Sequence, residues 1–336
     1  MKTRRDVTSG LAAGATLAAS PALAQNHRPM SDAAFDAAIA PEHANFEIIP
    51  VWPHNAPGLT RAHIEPVVTE RSTPPALRDR IAEHVLRPVL VMLRPERPNG
   101  AALLMAPGGA YIRLALDKEC YESSARFNAA GVTTFVLLYR MPGDGHVAGP
   151  DAPLQDAQRA LRLIRARAAE FGVDPARTGV IGFSAGGHLA GSLSLRAETQ
   201  TYSRVDAIDD QSALPAFTVL LYPVVSMEAP FTHAGSREAL LSASPSAEQM
   251  HAYSLEHLAH AGAPPTQIIS AADDDAVPEQ NSIVLHQALR AAGAPSELHI
   301  FESGGHGFGT RGMVGKPGAI WPDLALNWMR AHGAFA

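Results

Sequence analysis

The sequence predicts an α/β fold: a mainly parallel central sheet with helices on both faces and a small helical cap segment. Two observations carry this. Apolar runs of β type alternate with stretches of helical period along most of the chain, which is the pattern of successive strand–helix–strand units. Several runs, such as residues 101–106 and 133–139, are almost continuously apolar, as strands covered on both faces must be. The size agrees, since 336 residues of which 46% are hydrophobic are enough for one large α/β core.

In chain order, residues 1–24 read as a signal peptide. Lys2, Arg4 and Arg5 form a basic start, a short apolar stretch runs from Leu11 to Leu23, and Ala22-Leu23-Ala24 matches a cleavage site. The Arg4-Arg5 pair points to twin-arginine export, so a periplasmic or secreted location is expected. Residues 25–80 are irregular and rich in proline, and are expected to form an arm packed on the core. Residues 81–336 carry the regular pattern. Strands are expected at 88–93, 101–106, 133–139, 178–183, 218–222, 267–271 and 297–301. Helices are expected near 118–130, 153–171, 184–195, 279–292 and 322–331. In the second of these, Ala157, Leu161, Ile164 and Ala168 recur every three or four residues, and Gly172 ends the pattern. Residues 226–263 are too long for an ordinary connection between strand and helix, and are expected to form a helical cap over the strand ends.

Charge and cysteine content narrow the partners. The chain has 27 Lys and Arg against 33 Asp and Glu, a net charge of −6, and loss of the leader makes it more negative. That balance disfavours nucleic acid and anionic membrane. Cys120 is the single cysteine, so neither an internal disulfide nor a zinc held by thiolates is expected. It is expected to be a small buried hydrophobe. No cofactor and no metal are expected, and the oligomeric state stays open.

The chemistry starts at Gly182-Phe183-Ser184-Ala185-Gly186. This is G-x-S-x-G placed where a strand turns into a helix. A nucleophile at such a corner takes a strained backbone conformation, and glycines on both sides let strand and helix approach. A serine hydroxyl needs a base. His306, in Gly304-Gly305-His306-Gly307-Phe308-Gly309, follows the last strand run and is the candidate. His188 lies one helical turn beyond Ser184 and reads as structural. Asp273-Asp274-Asp275 follow the strand at 267–271, where an acid would orient the imidazole; spacing leaves open which of them faces His306. The order nucleophile, acid, base is that of a hydrolase triad. Developing negative charge on the substrate needs donors. The turn Pro107-Gly108-Gly109-Ala110-Tyr111 follows the strand at 101–106, and the backbone N–H groups of Gly109 and Ala110, with that of Ala185, are the expected oxyanion hole.

Taken together these residues resemble the α/β-hydrolase fold, and more narrowly the acetylxylan-esterase-like and feruloyl-esterase-like branch near the hormone-sensitive-lipase group. The matching pieces include Trp52-Pro53, Pro107 to Tyr111, Tyr139-Arg140, Asp156 to Ala160, the turn at Ser184, Tyr222 to Met227, Asp273 to Ser282 and Gly304 to Gly309. The family's acid lies four residues before a proline, so Pro278 selects Asp274, with Asp273 second. Ala110 replaces the third glycine of the family's oxyanion turn, and Pro107 stands where lipase-like relatives have histidine. The resemblance implies a serine esterase with Ser184, Asp274 and His306 as its triad. It would remove small acyl groups, O-acetyl first, from a small-molecule or oligosaccharide ester. A serine exopeptidase, a feruloyl esterase and a general short-chain carboxylesterase are the alternative enzymes. A catalytically silent binding protein on this scaffold would lack a triad member, and none is lacking here.

Overall fold

The computed structural model describes residues 30–43 and 45–335. The expected leader lies outside the described residues. The strands are β1 (Phe46–Pro50), β2 (Val67–Glu70), β3 (Arg80–Glu83), β4 (Val89–Leu93), β5 (Ala102–Ala106), β6 (Leu114–Ala115), β7 (Thr133–Leu138), β8 (Thr178–Phe183), β9 (Thr218–Leu221), β10 (Thr266–Ala271) and β11 (Ser296–Phe301). The helices are α1 (Asp32–Ile39), α2 (Glu122–Ala129), α3 (Ala152–Ala166), α4 (Ala168–Phe171), α5 (Ala185–Leu195), α6 (Ala234–Leu241), α7 (Ala247–Tyr253), α8 (Gln280–Ala291) and α9 (Trp321–Ala331). Each strand expected from the sequence is present, with ends within one residue.

Eight strands form one sheet in the order β1-β4-β7-β5-β8-β9-β10-β11. From β7 to β11 every pairing is parallel, while β1 with β4 and β4 with β7 are antiparallel. Every residue of β4, β5, β7 and β8 is buried. Each fully buried Val, Leu or Phe there contributes about 1.5–3 kcal/mol of transfer free energy, which explains their unbroken apolar runs. The edges differ: β11 is only half covered, and β1 has one buried residue, Ile49.

Within the stretch 25–80, expected as an irregular arm, the described residues include strands, and β3 runs across residue 80. Phe46–Pro50 pairs with β4 as an edge strand of the sheet itself. A five-residue edge strand ending in proline needs an apolar face on one side only, so it shows no continuous run. A second, three-stranded antiparallel sheet, β2-β3-β6, is built from strands of two to four residues. Two expected helices are also subdivided. The stretch 118–130 begins as a π-helical turn, Leu116–Tyr121, before α2, and the stretch 153–171 breaks at Arg167 into α3 and α4.

The cap expected at 226–263 is helical. His233 caps α6 by accepting the Ser236 N–H, and Ser246 and Gln249 form a reciprocal capping box on α7. No helix among the described residues is long and apolar enough to cross a membrane.

Strand order decides where a site can form. The chain leaves β5 through α2 to β7 on one side, then returns through α3 to β8 on the other side of β5. The loops after β5 and β8 therefore diverge, and a crevice opens between them at the carboxyl ends of the strands.

Candidate active site

Ser184 stands in that crevice, at the junction of β8 and α5. Its backbone adopts φ 53° and ψ −119°, an unfavourable region for a residue with a Cβ. Such a conformation costs about 1–3 kcal/mol and persists only when its surroundings hold it. Here the Ser184 N–H donates to the Leu221 carbonyl at 3.0 Å, and the Ser184 carbonyl accepts from His188 and Val224 at 3.1 Å each. The flanking glycines are required by space. A Cβ on Gly182 would lie 2.2 Å from the Gly186 carbonyl oxygen, and one on Gly186 would lie 2.1 Å from that of Ala106.

The Ser184 hydroxyl lies 2.8 Å from Nε2 of His306. Nδ1 of the same ring lies 2.7 Å from Oδ2 of Asp274. A carboxylate accepts, so Nδ1 carries the proton and Nε2 is left to accept from the serine. Asp274 is buried, and its Oδ1 accepts the N–H groups of Ala276 and Val277 at 3.0 and 2.8 Å. Asp273 has a different task. Its Oδ1 accepts from Gly304 and Gly305 at 2.7 Å each, which ties down the turn entering His306. Those N–H groups, Gly305 first, hold its carboxyl below the usual carboxylate range. Asp275 is exposed. Of the three adjacent acids, the structure brings Asp274 to the imidazole.

The turn after β5 is held just as firmly. Ala110 and Tyr111 both take left-handed conformations, at φ 57° and 62°. The Tyr111 hydroxyl donates to Nδ1 of His188 at 2.8 Å, and the Gly109 carbonyl accepts from both Ile112 and Arg113. The N–H groups of Gly109, Ala110 and Ala185 meet no acceptor among the described residues, so the expected oxyanion donors are free to receive a ligand. The N–H of Gly108 is not free, because it donates to Glu119 at 2.6 Å.

His188 is structural, as the sequence suggests. Its Nε2–H donates to the Tyr253 carbonyl at 2.7 Å, while Nδ1 accepts from Tyr111, so the neutral ring joins the turn after β5 to α7. Burial pushes its pKa down to about 4. Cys120 is fully buried, as expected, and burial pushes its thiol up.

A separate group, Glu228, His251 and His257, gathers on the cap with ligand atoms within 4.8 Å of one another. The two imidazoles stack 3.9 Å apart at 23°. Nearly parallel rings do not both direct an in-plane lone pair at one ion, so this arrangement is not a formed metal site.

Two residues beside the triad were not among the expected site residues. Glu119 lies within a helical pattern with nothing in its spacing to mark it, and Tyr222, at a strand end, entered only as part of the Tyr222 to Met227 resemblance. Both are buried against the site.

The chain is similar in sequence and in fold to known proteins. Residues 108–310 match the family described as alpha/beta hydrolase fold. An acetylxylan esterase of Xylanibacter ruminicola is 32% identical over 247 residues, covering 72% of this chain and 48% of that protein. An endo-1,4-beta-xylanase B of Butyrivibrio fibrisolvens is 33% identical over 205 residues, covering 61% of this chain and 32% of that protein. The chain thus spans half or less of the length of these two relatives. The crystal structure of an acetyl ester-xyloside bifunctional hydrolase from Caldicellulosiruptor lactoaceticus superposes with a TM-score of 0.69 at 29% identity, covering 88% of this chain and 100% of that one. The family match spans more than half of the sequence, and the chain belongs to the alpha/beta hydrolase fold family.

Proposed function

We propose that this protein is a serine ester hydrolase that removes small acyl groups, O-acetyl foremost, from carbohydrate. The observation that carries the reading is the continuous contact from Asp274 through His306 to the Ser184 hydroxyl, beside three unengaged N–H groups. Nε2 of His306 takes the serine proton as Oγ attacks the ester carbonyl. Asp274 stabilises the imidazolium, and Gly109, Ala110 and Ala185 receive the oxyanion. His306 returns the proton to the departing alcohol, and water then releases the acid from Ser184. Similarity to an acetylxylan esterase and to an acetyl ester-xyloside hydrolase, together with Pro107 in the turn after β5, supports acetyl as the acyl group and carbohydrate as the alcohol side. The basic start and the Ala22-Leu23-Ala24 pattern support export, with Gln25 as the mature terminus; amino-terminal sequencing of protein from the native host tests this.

The substrate test is kcat/KM across acetate, butyrate and octanoate esters, alongside acetate release from acetylated xylo-oligosaccharides. Each methylene a short pocket refuses is worth about 1–3 kcal/mol, so activity is expected to fall steeply with chain length. Preference for octanoate moves the protein to lipase-like chemistry. Faster ferulate release from its methyl ester moves it to feruloyl esters, and cleavage of amides without esters makes it a peptidase.

A further inference from the structure

Glu119 is a buried carboxyl at the rear of the site, on the π-helical turn that precedes α2. π-Turns inside helices are frequent at functional sites. Its Oε2 accepts the Gly108 N–H at 2.6 Å, at the root of the turn that carries Gly109 and Ala110. Its Oε1 accepts the Tyr222 hydroxyl at 3.2 Å. The oxygen of that hydroxyl accepts in turn from the Gly309 N–H at 3.3 Å, in the loop that carries His306. The Tyr222 ring also packs edge-on against His306, with centroids 5.2 Å apart. The carboxyl is close to the nucleophile as well: a Cβ built on Gly108 would lie 2.9 Å from Glu119 Oε2 and 2.9 Å from Ser184 Cβ.

We propose that Glu119 is a positioning residue of this site. Its carboxylate couples the oxyanion turn to the histidine loop and places a second negative charge behind the imidazole. The inference rests on the reading of Ser184 and His306 as a hydrolytic pair. Both oxygens of Glu119 accept, the pattern of an ionised carboxylate. Burial raises its pKa, and the Gly108 N–H, His306, the Tyr222 hydroxyl and Lys118 oppose that rise. The other titratable neighbours, Cys120 and Tyr139, are themselves pushed up by burial and stay neutral. Lys118 is a cation beside Glu119, and His306 becomes one only when it takes the serine proton. A negative charge near His306 favours the imidazolium formed during turnover.

The test uses the full chain with a chromogenic acetate ester, comparing wild type, Glu119→Gln and Glu119→Asp over pH. Glutamine keeps the shape and removes the charge. The expected result is a loss in kcat of about tenfold or more with KM within about twofold, since the oxyanion donors lose their support. The acid limb of kcat/KM is expected to move to lower pH, by about half a unit or more, because the charge that favours the imidazolium is gone. Aspartate keeps the charge, so its acid limb stays near wild type even where kcat falls. An unchanged limb with unchanged kcat in Glu119→Gln, or equal limb shifts in both variants, overturns the proposal. If Glu119→Gln does not fold, Tyr222→Phe removes the hydroxyl that joins the two loops and keeps the ring. A drop in kcat at constant KM supports the coupling, and wild-type kcat overturns it. Wild-type protein that hydrolyses no ester refutes the hydrolytic reading and this inference together; active wild type with indifferent Glu119 variants refutes this inference alone.

Discussion

The indole N–H of Trp52 donates to Oδ1 of Asp156, 2.8 Å away and 104 residues further along the chain. The same carboxylate accepts from the Arg140 guanidinium and from the Arg140 backbone N–H, and neither ion has any exposed side-chain surface. Arg159 lies over the Trp52 ring at 5.5 Å and reaches Asp206 with both terminal nitrogens. Four residues that carry the family resemblance, Trp52, Arg140, Asp156 and Arg159, thus form one buried cluster. None of them hydrogen-bonds to Ser184, Asp274 or His306, so they hold the scaffold rather than take part in chemistry.

Removing one partner tests that assignment. Asp156→Ala leaves the Arg140 charge buried without its counterion, an omission that costs about 3–5 kcal/mol. Urea unfolding is expected to shift accordingly, while kcat per folded molecule stays near wild type. A loss under about 1 kcal/mol would mean that the carboxylate is not the partner the geometry makes it.

Strands buried on both faces, such as residues 133–138, were legible because that burial forces nearly continuous apolar runs. Phe46–Pro50 was hidden because an edge strand with one buried residue carries little pattern. Ser184 and His306 were legible because each needs glycines around it, and Gly182 and Gly186 meet backbone atoms where any side chain would sit. Asp274 was legible only through resemblance. Asp273 and Asp274 are neighbours, and burial alone separates a residue that faces the imidazole from one that ties a turn. Glu119 was not legible, because its role depends on three loops that meet only in the fold.

Labelling separates the nucleophile from other serines. An organophosphonate is expected to add its mass at Ser184, and Ser184→Ala to lose both labelling and nearly all turnover, about four to six orders of magnitude. Stoichiometric labelling at another serine would displace Ser184 from the reaction.

His188 makes stability depend on pH. Burial lowers its pKa from 6.5 to about 4, so the unfolded chain binds the proton first. Its contribution is complete above about pH 6.5 and is lost as pH falls toward 4, up to roughly 3 kcal/mol. Chemical denaturation at a series of pH values is expected to show this slope, and His188→Gln to flatten it. If the variant keeps the wild-type slope, the responsible group lies elsewhere.

The two neighbouring aspartates are separated most sharply by their amides. In Asp274→Asn the amide oxygen is claimed by the Ala276 and Val277 N–H groups, which now bind Oδ1 of the acid. The NH2 group then faces Nδ1 of His306. A donor at that position forces the ring into the other tautomer, with the proton on Nε2 and none to be taken from Ser184. The expected loss in kcat is about 10⁴, and phosphonate labelling slows in parallel. In Asp273→Asn the amide oxygen still accepts from Gly304 and Gly305, so the turn keeps its anchor and kcat is expected to stay within about tenfold of wild type. Steady-state kinetics of both variants on one acetate ester decide between them. A crippled Asp273→Asn beside a mild Asp274→Asn would move the orienting acid by one residue and break the contact chain on which the proposed mechanism rests.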